Sequence, residues 1–290
     1  MKFATDCVRI PDSGAWVFAT YEHTPEKRRG RIVIENSAAT REIHTTGTFD
    51  LTVTDKTIFA SNTDGLSIYN INTLEKQTHF ETGLSYKHSL CGSSLASASS
   101  SGTFFELDLE KEAVTKKKLH CNGQDCIHDV FSVHLTPNSL YIGCDIGTLS
   151  VIDRRSGELS AHALDGGVTW IGPQPTPHQI EVGTYHGEYY FINGETVASR
   201  KKTPGIIWRI HPVEISGALY KIASQSFDGV GIYNSAMELI KLFSAKDLVY
   251  CLKIEGEEKD ATFTGYNYYS EEIVQANIYN AIQDCLPLAT

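Results

Sequence analysis

Short apolar runs alternate with polar breaks along the whole chain, and the alternation has the period of 2 expected of β-strands. The same unit recurs seven times: an apolar strand, a break that usually holds Gly, and an alternating strand. In order the units are "AWVFATYEHTPEKRRGRIVIEN", "TIFASNTDGLSIYN", "SLASASSSGTFFELD", "SLYIGCDIGTLSVID", "QIEVGTYHGEYYFIN", "KIASQSFDGVGIYN" and "ATFTGYNYYSEEIVQAN". The residues before each second strand are Gly30, Gly65, Gly102, Gly147, Gly187, Gly229 and Ser270, spaced by 35, 37, 45, 40, 42 and 41. A period near ~40 with strand pairs inside it predicts an all-β, seven-bladed β-propeller covering residues 1–290 as one domain. Seven tandem hairpins are also compatible with a sandwich, but the regular period favours the ring.

Further strands fall where four-stranded blades need them. "DVFSVHLTP", "GVTWIGPQP", "GIIWRIHP" and "LVYCLKIEG" precede the last four units, and "ELSAHAL" and "ELIKLFSA" follow units as outer strands. Either "MKFA" or "AIQDCLPL" is expected to supply the outermost strand of the last blade, because an open edge is a liability. No helix longer than a turn or two is needed.

With 290 residues, 41% of them hydrophobic, the chain can bury a sizeable core. No apolar run approaches the ~18 residues of a membrane span, and "MKFATDCVRIPDS" has no secretory pattern, so a cytoplasmic protein without membrane contact is expected. Seven scattered cysteines fit reduced thiols better than a disulfide framework. The net charge of −10 disfavours direct nucleic-acid binding and favours basic partners. "KKKLH" at 116–120, with no aromatics interleaved, reads as a solvated outer strand. "HCNGQDCIH" at 120–128 has zinc-type ligands at a spacing that matches no common zinc site, and it reads as an inserted loop.

"LSIYN", "LSVIDRR" and "VGIYN" stand where WD repeats end their third strand, so the units resemble degenerate WD repeats. Longer words narrow this. "ATYE" followed by "RRGRIVI", "DVFSVHL", "LYIGCDIGTLSVIDRR", "GVTWIGPQP", "EVGTYHGEYYFI", "GIIWRIHP" and "KDLVYCLKI" resemble the diphthine methylesterase family of diphthamide biosynthesis, in order, from about Asp6 to Ile278. The chain departs from that family in its fifth blade, where an acid-rich turn is replaced by Gly183-Thr184-Tyr185-His186-Gly187-Glu188. The sixth blade has Gly205-Ile206 for a double Gly, and the seventh has only Tyr266, Asn267 and Tyr268 of the usual motif.

The resemblance implies hydrolysis of the methyl ester of methylated diphthine on translation elongation factor 2, by a monomer without a cofactor, releasing methanol. The competing class is a non-catalytic WD-repeat scaffold. No Gly-x-Ser-x-Gly, His-Glu-x-x-His or Ser-x-x-Lys set is present, so any catalysis must gather its groups from different blades.

Blade geometry places the loops before first strands and after second strands on one face, around the channel. His128, Asp129, Asp145, Tyr185, His186, Trp208, Arg209 and Asp228 fall there. The catalytic candidates are His186, His128, Asp129 and Arg209: an imidazole or carboxylate can take a proton from water, and a guanidinium can donate to an oxyanion. Asp145 and Asp228 equally suit hydrogen bonds that tie blades together. Because strand neighbours face opposite ways, Trp208 is expected to pack between blades while Arg209 reaches out. The family substrate carries a trimethylammonium group, which donates no hydrogen bond. The substrate-binding candidates are therefore Tyr185, Trp208, Phe227, Asp145 and Asp228, with Trp170, Tyr268 and Glu188 close by, in a partly aromatic, net negative pocket. No residues are assigned to a metal.

Overall fold

Seven small antiparallel sheets surround a central channel in the computed structural model, which describes residues 4–285 except 12, 24–27, 37–38, 101, 122–123, 126–127, 174–178, 195 and 268–272. They form a seven-bladed β-propeller. The blades span residues 6–45, 48–80, 85–118, 130–163, 168–202, 209–243 and 249–277, each running from an inner strand at the channel outward. Gly65, Gly102, Gly147, Gly187 and Gly229 occupy the equivalent turn of five blades, all with positive φ, as the spacing predicts. At Gly229 the φ is +99°, and a Cβ would lie 2.0 Å from the Phe243 carbonyl oxygen.

A four-stranded blade is apolar on both faces of its inner three strands, so it must be flanked on both sides. Accordingly the core is divided into seven clusters, each lying between two adjacent blades. Leu66 and Phe59 of the second blade meet Leu95 and Phe105 of the third, for example, and Val168 of the fifth meets Leu149 of the fourth. Polar contacts reinforce them. His88 Nδ1 lies 2.8 Å from Ser61 Oγ across the second interface, and the Lys221 ammonium binds Glu181 between the fifth and sixth blades.

Ring closure differs from the expectation. Asp6–Arg9 is the innermost strand of the first blade, and the last blade has three strands, so neither terminus adds an outer strand among the described residues. Its outer side is covered by the helix Ile278–Gln283, which includes part of the "AIQDCLPL" segment and buries Ile278, Ala281 and Ile282 against the sixth and seventh blades. The Asn277 side chain caps that helix, accepting from Asn280 N. The first and last blades meet directly: Cys7 Sγ donates to Leu252 O, and Phe18 packs edge-on to Tyr266 at 5.4 Å. The connection between the third and fourth blades holds the hairpin strands His120–Cys121 and Gln124–Asp125, the insertion that the long spacing of 45 signals. Among the described residues, no helix is long and apolar enough to cross a membrane.

Candidate functional site

The inner strands do not alternate cleanly at their first turn. Their pairing with the second strand shifts by one residue between Thr48 and Asp50, Ser85 and His88, Val130 and Ser132, Val168 and Trp170, and Val249 and Cys251. These are β-bulges, which add one residue on one strand and re-aim its side chain. The bulge residues Phe49, Tyr86, Phe131, Thr169 and Tyr250 all line one cavity, as do Thr5 and Trp208, which immediately precede the inner strands Asp6–Arg9 and Arg209–Ile215 of the first and sixth blades. Every blade therefore contributes a residue from the start of its inner strand to the channel mouth.

Five of those seven positions are aromatic. Tyr185, from the turn after the second strand of blade five, fills the gap beside Thr169. The rings touch in sequence around the mouth, with centroids 5.9 Å apart for Phe49 and Tyr86, 5.1 Å for Tyr86 and Phe131, and 5.5 Å for Phe131 and Tyr185. Tyr185 meets Trp208 edge-on at 5.4 Å, and Trp208 stacks on Tyr250 at 4.5 Å. The collar encloses a cavity of about 120 Å³. At its rim, Tyr86 Oη donates to Asp129 Oδ2 at 3.1 Å, and His128 Nδ1 lies 3.4 Å from Asp145 Oδ1. Burial raises the Tyr86 and Tyr185 hydroxyls above their ordinary range, Asp129 adding to the first and Asp145 to the second, so both stay protonated at neutral pH.

Beneath the collar lies a layer of charge. The Arg209 guanidinium clamps Asp6 of the first blade, through both carboxylate oxygens, and donates from Nη2 to Asp50 Oδ1 of the second at 2.8 Å. Asp6 also accepts from the backbone N–H of Cys7 and of Leu51, at 2.8 and 2.7 Å. Burial raises Asp6 to about 6, with Asp50 repelling it and Arg209 opposing the rise. Asp50, although buried, is held below the usual carboxylate range by His88, Lys87 and Arg209. Lys87 stands at the same level, its ammonium lowered by burial and by Arg209. On the far side of this layer is a second cavity of about 220 Å³, lined by Ser132, His134 and Trp170 among others. Burial lowers His134 to about 4, so it is neutral there.

Tyr185, Trp208, Asp129, Asp145 and His128 thus meet at one mouth. Trp208 and Arg209 both line the cavity, contrary to strict alternation, because Trp208 precedes the strand Arg209–Ile215, where the regular pairing begins. Arg209 is bound to two carboxylates and does not reach out. His186 sits outside the collar and well exposed, with Nδ1 3.1 Å from Asp165 Oδ1; Asp165 also accepts from Arg200, which binds Glu188. Phe227 is 62% exposed on a neighbouring turn and does not line the cavity. Asp228 packs over Gly205, where a Cβ would lie 2.3 Å from its Oδ2, which accounts for the glycine in "TPGIIWRIHP". The pocket is not simply negative, since its floor holds two cations and two carboxylates. Trp170 lines the lower cavity, and Tyr268 lies outside the described residues. Most of "HCNGQDCIH" also lies outside them, and among the described residues no three His, Cys, Asp or Glu side chains group to hold a metal.

Phe49, Tyr86, Phe131, Tyr250, Lys87, Asp6 and Asp50 were not visible in the turn-based reading. Aligning the units on their inner strands would have found the rings, since "TFD", "SYK", "VFS", "IWR" and "VYC" each place an aromatic at the same step. No protein-family model matches the chain, and none of the curated proteins matches it.

Proposed function

We propose that the chain hydrolyses a methyl ester on a side chain that also carries a quaternary ammonium, as on the methylated diphthine of translation elongation factor 2. The observation that carries this reading is the collar of six aromatic rings around a small cavity, with Asp129 and Asp145 at its rim. A trimethylammonium group binds through ring faces and nearby carboxylates, because it has no proton to donate. The words "GIIWRIHP" and "KDLVYCLKI", which carry the family resemblance, supply Trp208 and Tyr250 of that collar.

His128, with Asp145 behind it, is the general base in this reading: it takes a proton from water as the oxygen adds to the ester carbonyl carbon. The carbon–oxygen bond to the methoxy group then breaks, and the departing oxygen receives the proton as methanol. The test is to incubate the purified chain with elongation factor bearing methylated diphthine and to follow the modified peptide by mass spectrometry. The expected result is a loss of one methylene unit of mass with release of methanol. A stable complex with unchanged mass would instead support the scaffold class, a reader of the same side chain that performs no chemistry.

A further inference from the structure

We infer that Lys87 binds the acceptor end of the ligand, so that the cavity takes a compact two-ended molecule: a methylated ammonium against the rings, and a carboxylate or carbonyl oxygen on the Lys87 ammonium at the floor. Among the described residues two cations stand at that floor, Arg209 and Lys87, and Arg209 is directly bonded to carboxylates. The Arg209 guanidinium is bound by Asp6 and Asp50. Lys87, by contrast, forms no ion pair or hydrogen bond among the described residues, although it lines both the collar cavity and the cavity below it. The Lys87 side chain is half-buried, so its ammonium has given up part of its water and is drawn by Asp50 and Asp6 without bonding to either, which leaves the charged form short of a direct partner. The charges around it are Arg209, which repels it, and Asp6 and Asp50, which attract it but are already engaged. An arriving acceptor supplies the missing partner, and the low polarity of the aromatic walls strengthens that bond. With the carboxylates at the rim and the unpaired ammonium at the floor, the cavity has an electrical direction, and its ligand must enter acceptor first.

The inference rests on the reading above only in taking the collar cavity as the ligand site; it does not require hydrolysis. It is tested by titrating the full chain with tetramethylammonium, acetate and trimethylammonioacetate, which present the cationic end, the anionic end and both ends together. Binding is followed by tryptophan fluorescence, Trp208 being in the collar wall. Trimethylammonioacetate is expected to bind about tenfold more tightly than tetramethylammonium, the lower range of a charged hydrogen bond. Lys87→Met should abolish that advantage and leave tetramethylammonium affinity within about twofold, and Lys87→Arg should restore part of it. Lys87 is half-buried and makes no direct bond to Asp6 or Asp50, so its removal should not unfold the protein; if Lys87→Met fails to fold, Lys87→Gln carries the comparison. An unchanged ratio in either neutral variant overturns the inference, as does tighter binding of tetramethylammonium to the wild type. If no probe binds the wild type, the cavity is not the ligand site and both readings fall. Probe binding that depends on Lys87, without hydrolysis of the elongation factor, removes the esterase reading alone.

Discussion

Replacing Arg209 by methionine removes the guanidinium that joins the sixth blade to the first and second across the channel. The Arg209 side chain is 18% exposed, and its partners Asp6 and Asp50 are 0% and 6% exposed. Breaking a buried pair in this way costs about 3–5 kcal/mol, because the partner is left charged and desolvated. A chain of this size loses about 2 °C in Tm per kcal/mol, so Arg209→Met should lower Tm by about 6–10 °C. The loss should depend on pH. In the wild type Asp6 is raised from 3.8 to about 6, so the native state holds its proton longer than the unfolded chain. The stability that this proton confers is complete below about pH 4 and is lost as pH rises through about 6. Without Arg209, the repulsion between Asp6 and Asp50 raises that value further, and protonation of one carboxylate relieves it. Thermal unfolding followed by circular dichroism should therefore show a wide gap between variant and wild type at pH 8 and a narrower one at pH 5. Adding Asp50→Asn should recover part of the loss. A Tm within about 2 °C of wild type at pH 8, or a gap that ignores pH, would refute the clamp. If hydrolysis disappeared while stability did not change, Arg209 would instead be a donor to the reacting ester.

The collar makes a graded prediction: Trp208→Leu and Tyr185→Leu should each weaken tetramethylammonium binding about two- to fivefold, and Phe227→Leu should leave it unchanged, by isothermal titration calorimetry, which does not depend on Trp208 as a reporter. Equal losses in all three would move the site outward, toward the Phe227 turn. In the ester-hydrolysis assay, His128→Ala should cut kcat by about a hundredfold or more, as loss of a general base does. His186→Ala, which breaks only an exposed pair with Asp165, should stay within about threefold; the reverse ranking would reassign the base. Gly229→Ala forces a side chain into positive φ against the Phe243 carbonyl and should cost about 1–3 kcal/mol, read as a Tm several degrees lower. An unchanged Tm would show that this turn relaxes freely.

The seven-fold repeat was legible because each unit states its own local structure. Turn glycines such as Gly147 and Gly187 need a positive φ that other residues resist, and the flanking alternation at period 2 makes strands with two apolar faces. Units of that kind cannot bury themselves alone, and their regular period of about 40 residues favours stacking into a ring over a sandwich. The five turn glycines took their places accordingly, and Tyr185, Trp208, His128, Asp129 and Asp145 came together at the expected face. What alternation could not yield was the direction of Trp208 and Arg209, because Trp208 lies just before the strand Arg209–Ile215 and alternation holds only within a strand. Nor could it pair Arg209 with Asp6, 203 positions away. Which side chains meet across the channel depends on where seven inner strands stand around a common axis, and closing the ring decides that. Local pattern sets the blades; only their assembly sets the collar, the buried charges beneath it and the unpaired Lys87.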